Sequence, residues 1–325
     1  MDLIKFKPIL KTMLWGGEKI VPYKQISSDQ HQIGESWELS GVKGDESIVA
    51  NGEYEGLTLP SLIAVLKDKL VGKANYKRFG LEFPLLIKFI DAQQDLSIQV
   101  HPDDTLAKQR HNSNGKTEMW YVVDADDNAK LRSGFAKQVT AEEYEASVTD
   151  NTITDLLKEC NIHAGDVFFL PAGRIHSIGA GSFIAEIQQT SNITYRIYDF
   201  NRKDANGNTR ELHTEQAKAA IDYSVLPDYH THYQPVKNQE VELVKCPYFT
   251  TSLYDLDQPF TCDLSQLDSF LVVICMGGKG TLTDHRGHKM QIHQGETILV
   301  PALTTSLDIQ PDSTLKLLTS YIGSR

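Results

Sequence analysis

Short apolar runs closed by glycine-, proline- or aspartate-bearing turns recur along almost the whole chain, and this pattern demands a β-rich fold. LSIQVH (96–101) alternates cleanly, with Leu96, Ile98 and Val100 on one face and Ser97, Gln99 and His101 on the other. FPLLIKFIDA (83–92), EMWYVVDA (118–125), DVFFLP (166–171), SFIAEIQQT (182–190) and ITYRIYDF (193–200) read as further strands. Residues 1–56, and those from about 240 onward, read as shorter strands and turns. Three stretches change period and predict helices: 57–72, with Leu62, Val65, Leu66 and Leu70 on one face; 140–160, with Thr140 as N-cap and acids in the first turn; and 213–223. PDDTLAKQRHN predicts a short helix, and 227–239 lacks any period and reads as a linker. The whole predicts a mainly β chain with a few short helices, folded as a sandwich or barrel. A weak internal repeat divides it: GDVFFLPAG begins at Gly165 and GETILVPAL at Gly295. Two related units are therefore expected, at 1–235 and 236–325.

Charge narrows the partners. The 325 residues carry 32 Lys and Arg against 43 Asp and Glu, a net charge of −11. That balance argues against nucleic acid or an anionic membrane surface as the main partner. An anionic ligand would need basic side chains gathered locally. The four cysteines, Cys160, Cys246, Cys262 and Cys275, are scattered without a C-x-x-C pair, which fits a reducing cytoplasm better than a disulfide framework. The N-terminal MDLIKFKPILKTMLWGG has lysines within its apolar stretch and lacks a signal-peptide layout. No apolar run approaches the roughly 18 residues of a membrane span.

Gln99 and His101 project from one strand face opposite Leu, Ile and Val. Alone, a Q-x-H pair on a polar face would read as solvated. Two features point elsewhere. Glu118 opens a later, strongly apolar strand, and His176 follows the turn PAGRIH, whose Pro171 and Gly173 fix the backbone path. The spacing from Gly165 through Pro171 and Gly173 to His176 matches the second motif of the cupin superfamily, whose members are double-sheet jelly rolls. Two imidazoles, a carboxylate and an amide oxygen suit a divalent metal, most often zinc, with coordination positions to spare. Ligand type alone leaves iron, manganese or cobalt open. His230 and His232 in the linker, and His285, His288 and His293 near the C-terminus, read as solvated loop histidines. PALTTS, after Gly295, has no following histidine, so the second unit is expected to lack a metal.

LSIQVHPDD (96–104), GKTEMWYVV (115–123) and PAGRIHSIGAG (171–181) resemble the type I mannose-6-phosphate isomerases. The specific part is glutamine in place of the first cupin histidine, followed by HPD. The resemblance implies zinc ligands Gln99, His101, Glu118 and His176. It implies a catalytic arginine at Arg196, with Glu186 ten residues earlier, Lys116 two before the metal glutamate, and Lys88 and Ser97 before Gln99. Arg202 stands where long members carry a lysine. Long members also have a large helical insertion between the metal glutamate and the last histidine. Here that span is short and IYDFNR follows the arginine, as in the short bacterial form.

The implied activity is interconversion of mannose 6-phosphate and fructose 6-phosphate by metal-assisted proton transfer through a cis-enediol. Arg196 would stabilise the developing negative charge, and Glu186 or Lys116 would act as base. Ser97, Lys88 and Arg202 would contact the sugar phosphate, the last two through charge. Trp15, Trp37 and Trp120 fit either the cavity wall or the core. Two other classes share the fold: a non-catalytic sugar-binding or regulatory bicupin, and an iron-dependent cupin oxygenase. The expected assembly is a monomer or homodimer.

Overall fold

The strand Leu85–Ala92 is buried at every position, which requires a sheet covered on both faces. The computed structural model, which describes residues 2–204 and 206–323, shows how. Leu85–Ala92 lies inside a six-stranded antiparallel sheet ordered Val167–Leu170, Glu118–Ala125, Ser182–Gln189, Leu85–Ala92, Ile9–Gly17, Ile33–Leu39. A five-stranded sheet covers one face: Tyr195–Tyr198, Ile98–Val100, His176–Ile178, Lys130–Phe135, Leu157–Asn161. A nine-stranded sheet built largely from residues beyond 239 covers the other.

Strand alternation decides what each face carries. Leu85, Ile87 and Phe89, with Met119, Tyr121, Phe183, Ala185 and Ile187, enter the large core shared with Phe270, Val272, Leu299 and Leu318 of the nine-stranded sheet. The intervening positions face the five-stranded sheet. There Ile90, Trp120, Val122 and Ile184 pack with Leu131, Phe168 and Ile178. Lys88, Glu118 and Glu186 share that second face, so the same alternation that builds the core directs three charged side chains into the sandwich.

The nine-stranded sheet encloses a core of its own, including Tyr254, Leu271, Val273 and Leu317. It is completed from the other end of the chain. Ile4–Lys7 pairs with Thr297–Val300 (Ile4 opposite Leu299, Lys5 opposite Ile298) and with Ile48–Val49. Two strands from before residue 235 thus belong to the sheet of the second unit.

The internal repeat is carried by matching turns. Gly165 and Gly295 both have positive φ, +95° and +81°. Asp166 Oδ2 accepts from the His163 amide at 2.8 Å, and Glu296 Oε2 from the His293 amide at 2.9 Å. After each strand the Arg174 amide donates to Pro171 and the Thr304 amide to Pro301, at 3.0 and 2.9 Å. The acid at the second position of each repeat is there to hold its own turn.

Helices depart from expectation at their ends. The stretch 57–72 forms Leu59–Leu66 and Asp68–Val71, broken at Lys67, which adopts φ 53° and ψ −131°. A further helix, Lys73–Phe79, follows. The helix expected over 140–160 stops at Thr149. Leu157–Asn161 is instead a strand paired with Lys130–Phe135, where cross-strand bonding overrides local helical character. The third helix is Thr214–Ala220. Thr140 is the expected N-cap and forms a full capping box with Glu143. Thr140→Ala is therefore expected to cost about 1 kcal/mol, read as a lower urea midpoint at unchanged slope. An unchanged midpoint would show the box contributes nothing. Residues 227–239 are largely irregular yet fastened, for example by the Thr231 amide to Val167 O at 2.8 Å. Among the described residues no helix is long and apolar enough to cross a membrane.

Candidate active site

Three buried side chains from both sheets of the sandwich meet at one point. His101 follows Ile98–Val100, His176 opens His176–Ile178, and Glu118 opens Glu118–Ala125 across the gap. Gly173 lets the turn before His176 close: its φ is +90°, its amide donates to His101 O at 2.9 Å, and a Cβ there would stand 3.0 Å from Ala220 O. Glu118 Oε2 lies 3.5 Å from His101 Nε2, and Oε1 lies 3.3 Å from His176 Nε2. One donor atom from each residue fits within 4.8 Å of the others.

The tautomers are set from behind. His101 Nδ1–H donates to Ile193 O at 2.9 Å and His176 Nδ1–H to Arg174 O at 2.8 Å, so each Nε2 presents a lone pair to the centre. Both Nε2 atoms and both Glu118 oxygens lack a hydrogen-bond partner. Lys116 Nζ approaches Glu118 Oε2 at 3.4 Å, but neither Nε2 has a donor. Two buried imidazole lone pairs turned on a carboxylate would be costly for a purely structural cluster, whereas a divalent cation satisfies all three groups together. Burial holds both imidazoles neutral, His176 down to about 4 and His101 well below its usual value. Burial, and then the nearby Glu186 charge, push the Glu118 carboxyl up to about 8. Among the described residues this is the one place where His, Cys, Asp and Glu side chains gather with metal-ligand spacing. His288 is instead bound to Asp284 at 2.9 Å, and His230 and His232 to Asp228 at 2.9 and 2.7 Å.

Gln99 is the cross-strand neighbour of His176 on one side and of Arg196 on the other, giving a row His176, Gln99, Arg196 across three strands. A cavity of about 220 Å³ opens beside this row. Ser97, Gln99, Lys88, Lys116, Glu186 and Arg196 all line it, so nine of the ten expected site residues fall at the cavity or at the three-residue cluster beside it. The tenth, Arg202, is not in the cavity wall. Its Nη2 is bound to Asp199 at 2.8 Å, and Arg210 lines the cavity instead.

Lys88 Nζ stands 3.2 Å from Glu186 Oε1 and 3.8 Å from Glu35 Oε2. Burial alone would depress this ammonium, yet Glu35, Glu186 and Glu118 together hold it above the usual lysine value. For Glu186, burial is overcome by Lys88, Lys116 and the Trp120 indole N–H, which donates at 2.8 Å; its carboxyl stays below the usual value and ionised. Lys116 Nζ reaches Glu118 Oε2 at 3.4 Å and joins the metal-ligand cluster to the cavity. Trp15 and Trp37 line the cavity, while Trp120 is fully buried beneath it. Glu35, whose Oε2 also accepts from Trp37 Nε1 at 2.5 Å, was not among the expected residues. Its place two positions before Trp37, on the same strand face, is the signal that could have found it.

Residues 3–136 match the catalytic domain of type I phosphomannose isomerase, and residues 239–322 match the cupin domain of mannose-6-phosphate isomerase. Mannose-6-phosphate isomerase ManA of Bacillus subtilis is 34% identical over 91% of this chain and 92% of its own length. The mannose-6-phosphate isomerase of Streptococcus mutans is 31% identical over 95% and 94%. The crystal structure of mannose 6-phosphate isomerase from Bacillus subtilis superposes with TM-score 0.89 at 29% identity, covering 99% of this chain and 100% of that one. Phosphomannose isomerase from Salmonella typhimurium, crystallised as a point mutant, shares the fold, with TM-score 0.81 at 16% identity and 100% of both chains covered.

Proposed function

The chain belongs to the type I mannose-6-phosphate isomerases and catalyses the aldose–ketose interconversion of mannose 6-phosphate and fructose 6-phosphate, and from that premise we propose which residues carry the reaction. His101, Glu118 and His176, with the Gln99 amide at the cavity side, hold a single divalent ion, which we take to be zinc from the nitrogen and oxygen donor set. The observation that carries this is the convergence of two imidazole Nε2 atoms, neither with a hydrogen-bond partner, on one carboxylate in a fully buried cluster. Such an ion supplies Lewis acidity and a template for the sugar oxygens.

The remaining chemistry falls to the protein's own groups. The reaction moves a proton between C1 and C2, so negative charge develops on an oxygen beside these carbons. Arg196, next to Gln99 along the strand row, offers fixed positive charge there without reorganisation. Glu186 and Lys116 are the wall groups able to carry the proton. Glu186 is oriented for this by Trp120 and Lys88. Ser97 shares the strand face of Gln99 and is placed to bond sugar hydroxyls. Lys88 serves the carboxylates around it and so fixes the electrostatics of the wall.

We also infer a metal-bearing catalytic unit over 1–235 and a metal-free unit over 236–325, sharing the large core, and a cytoplasmic location that suits four free cysteines. Neither a non-catalytic sugar-binding role nor an iron oxygenase is favoured by any feature of the site. The test is a coupled assay that supplies mannose 6-phosphate and detects fructose 6-phosphate. Turnover is expected to vanish on chelation and return with zinc. Full activity in protein shown by elemental analysis to be metal-free would overturn the metal assignment.

A further inference from the structure

The cations of the cavity divide by what neutralises them. Lys88 and Lys116 are matched at close range by Glu186, Glu35 and Glu118. At the Arg196 end the balance reverses. Arg196, Arg202 and Arg210 gather around one carboxylate, Asp199. Asp199 accepts from Arg210 Nε at 2.7 Å and Nη2 at 2.6 Å, a two-pronged pairing, and from Arg202 Nη2 at 2.8 Å. Glu211, the other acid near Arg196, is 84% exposed and offers Arg196 its backbone carbonyl, at 3.1 Å. Burial, and then the neighbouring Arg210 charge, pull the Arg196 guanidinium below its usual value, as expected for cations pressed together.

The backbone is bent to produce this arrangement. Phe200 and Asn201 both take positive φ, 54° and 53°, a region that residues with a Cβ seldom enter and that clusters at functional sites. Lys203 then pairs with Thr209, returning the chain so that Arg210 comes back to Asp199. Arg196 and Arg210 line the cavity, and Arg202 does not.

We propose that Arg210, aimed by Asp199, is the phosphate-recognition residue of this site, and that Arg202 is a positioning residue for Asp199 rather than a substrate contact. A phosphate monoester carries a charge of about −1.5 to −2 near neutral pH and suits a guanidinium fork. The inner lysines already have carboxylate partners, so the Arg210 side of the cavity is where such a charge is least opposed. Phosphate on C6 lies at the far end of the sugar from C1 and C2. Seating it at Arg210 directs the reacting carbons toward Arg196, Gln99 and the metal-ligand cluster. This inference rests on the isomerase reading.

The test compares zinc-loaded wild type, Arg210→Ala, Arg210→Lys and Asp199→Asn. Calorimetric binding of mannose 6-phosphate and of mannose is measured for each, together with turnover. Arg210→Ala is expected to weaken mannose 6-phosphate binding roughly 10- to 100-fold and leave mannose binding within about twofold. Arg210→Lys should recover part of the loss, and Asp199→Asn should fall between it and wild type with its melting temperature and zinc content kept. Equal loss for both sugars, or unchanged mannose 6-phosphate binding in Arg210→Ala, would overturn the assignment. Wild type that binds mannose 6-phosphate through Arg210 but does not isomerise it would support the assignment and defeat the isomerase reading. Wild type that isomerises it, with Arg210→Ala unaffected, would do the reverse.

Discussion

Glu118→Gln is expected to strip the protein of its metal and lower kcat/KM by more than about 100-fold, beyond what loss of an outer hydrogen bond to a ligand costs. Glu118 is the single anion among the four donors, and both of its oxygens face the two Nε2 atoms. Glutamine keeps the volume and removes the charge. Its amide N–H can also donate to an imidazole, closing the cluster on itself. Stability should move differently. With burial and Glu186 disfavouring the ionised carboxyl, the neutral side chain removes a penalty in metal-free protein. The metal-free variant is therefore expected to unfold at or above the temperature of metal-free wild type. Elemental analysis, the coupled assay and thermal unfolding read the three parts. Stoichiometric metal with wild-type turnover in the variant would refute the ligand assignment.

Arg196→Ala is expected to lower kcat by roughly 100- to 1,000-fold, the range for removing a fixed charge from a developing oxyanion, with metal content unchanged. Arg196 reaches the cavity from the outermost strand of the five-stranded sheet and bonds Glu211 O rather than any metal ligand. Its loss should leave His101, Glu118 and His176 in place. The effect should appear with phosphorylated and unphosphorylated sugar alike, which separates it from Arg210. Arg196→Lys should recover little, because an ammonium lacks the planar fork. Loss of metal, or a change confined to KM, would contradict the role.

The site was legible where strand period carried it. Period put Ser97, Gln99 and His101 on one face but would by itself have left them in solvent; Glu118 at the head of an apolar strand and His176 after its turn are what marked that face as inward, while Lys88 was reached only through the family resemblance. The His176 turn was legible because Pro171 and Gly173 constrain the backbone. Arg210 was not legible. It lies in a polar hairpin without period, and its approach to Asp199 depends on positive φ at Phe200 and Asn201; asparagine favours that region, but phenylalanine gives no sign of it. The same limit explains the helix expected to 160. Leu157–Asn161 is helical in character but extended in fact, since Lys130–Phe135 offers it a ladder. Local preference could not report a partner more than twenty residues away.

The pairing of Ile4–Lys7 with Thr297–Val300 has a bearing on biosynthesis. A strand made early can pair at once with Ile48–Val49, but its other edge must wait for a strand made much later. Until then that edge stands open, while the metal-bearing sandwich has all its own strands by residue 198. Closure therefore comes late in synthesis and ties distant parts of the polypeptide together. A nascent chain that stalls before Thr297 would hold a formed catalytic layer beside an unfinished β edge, the species most exposed to aggregation or to capture by a chaperone.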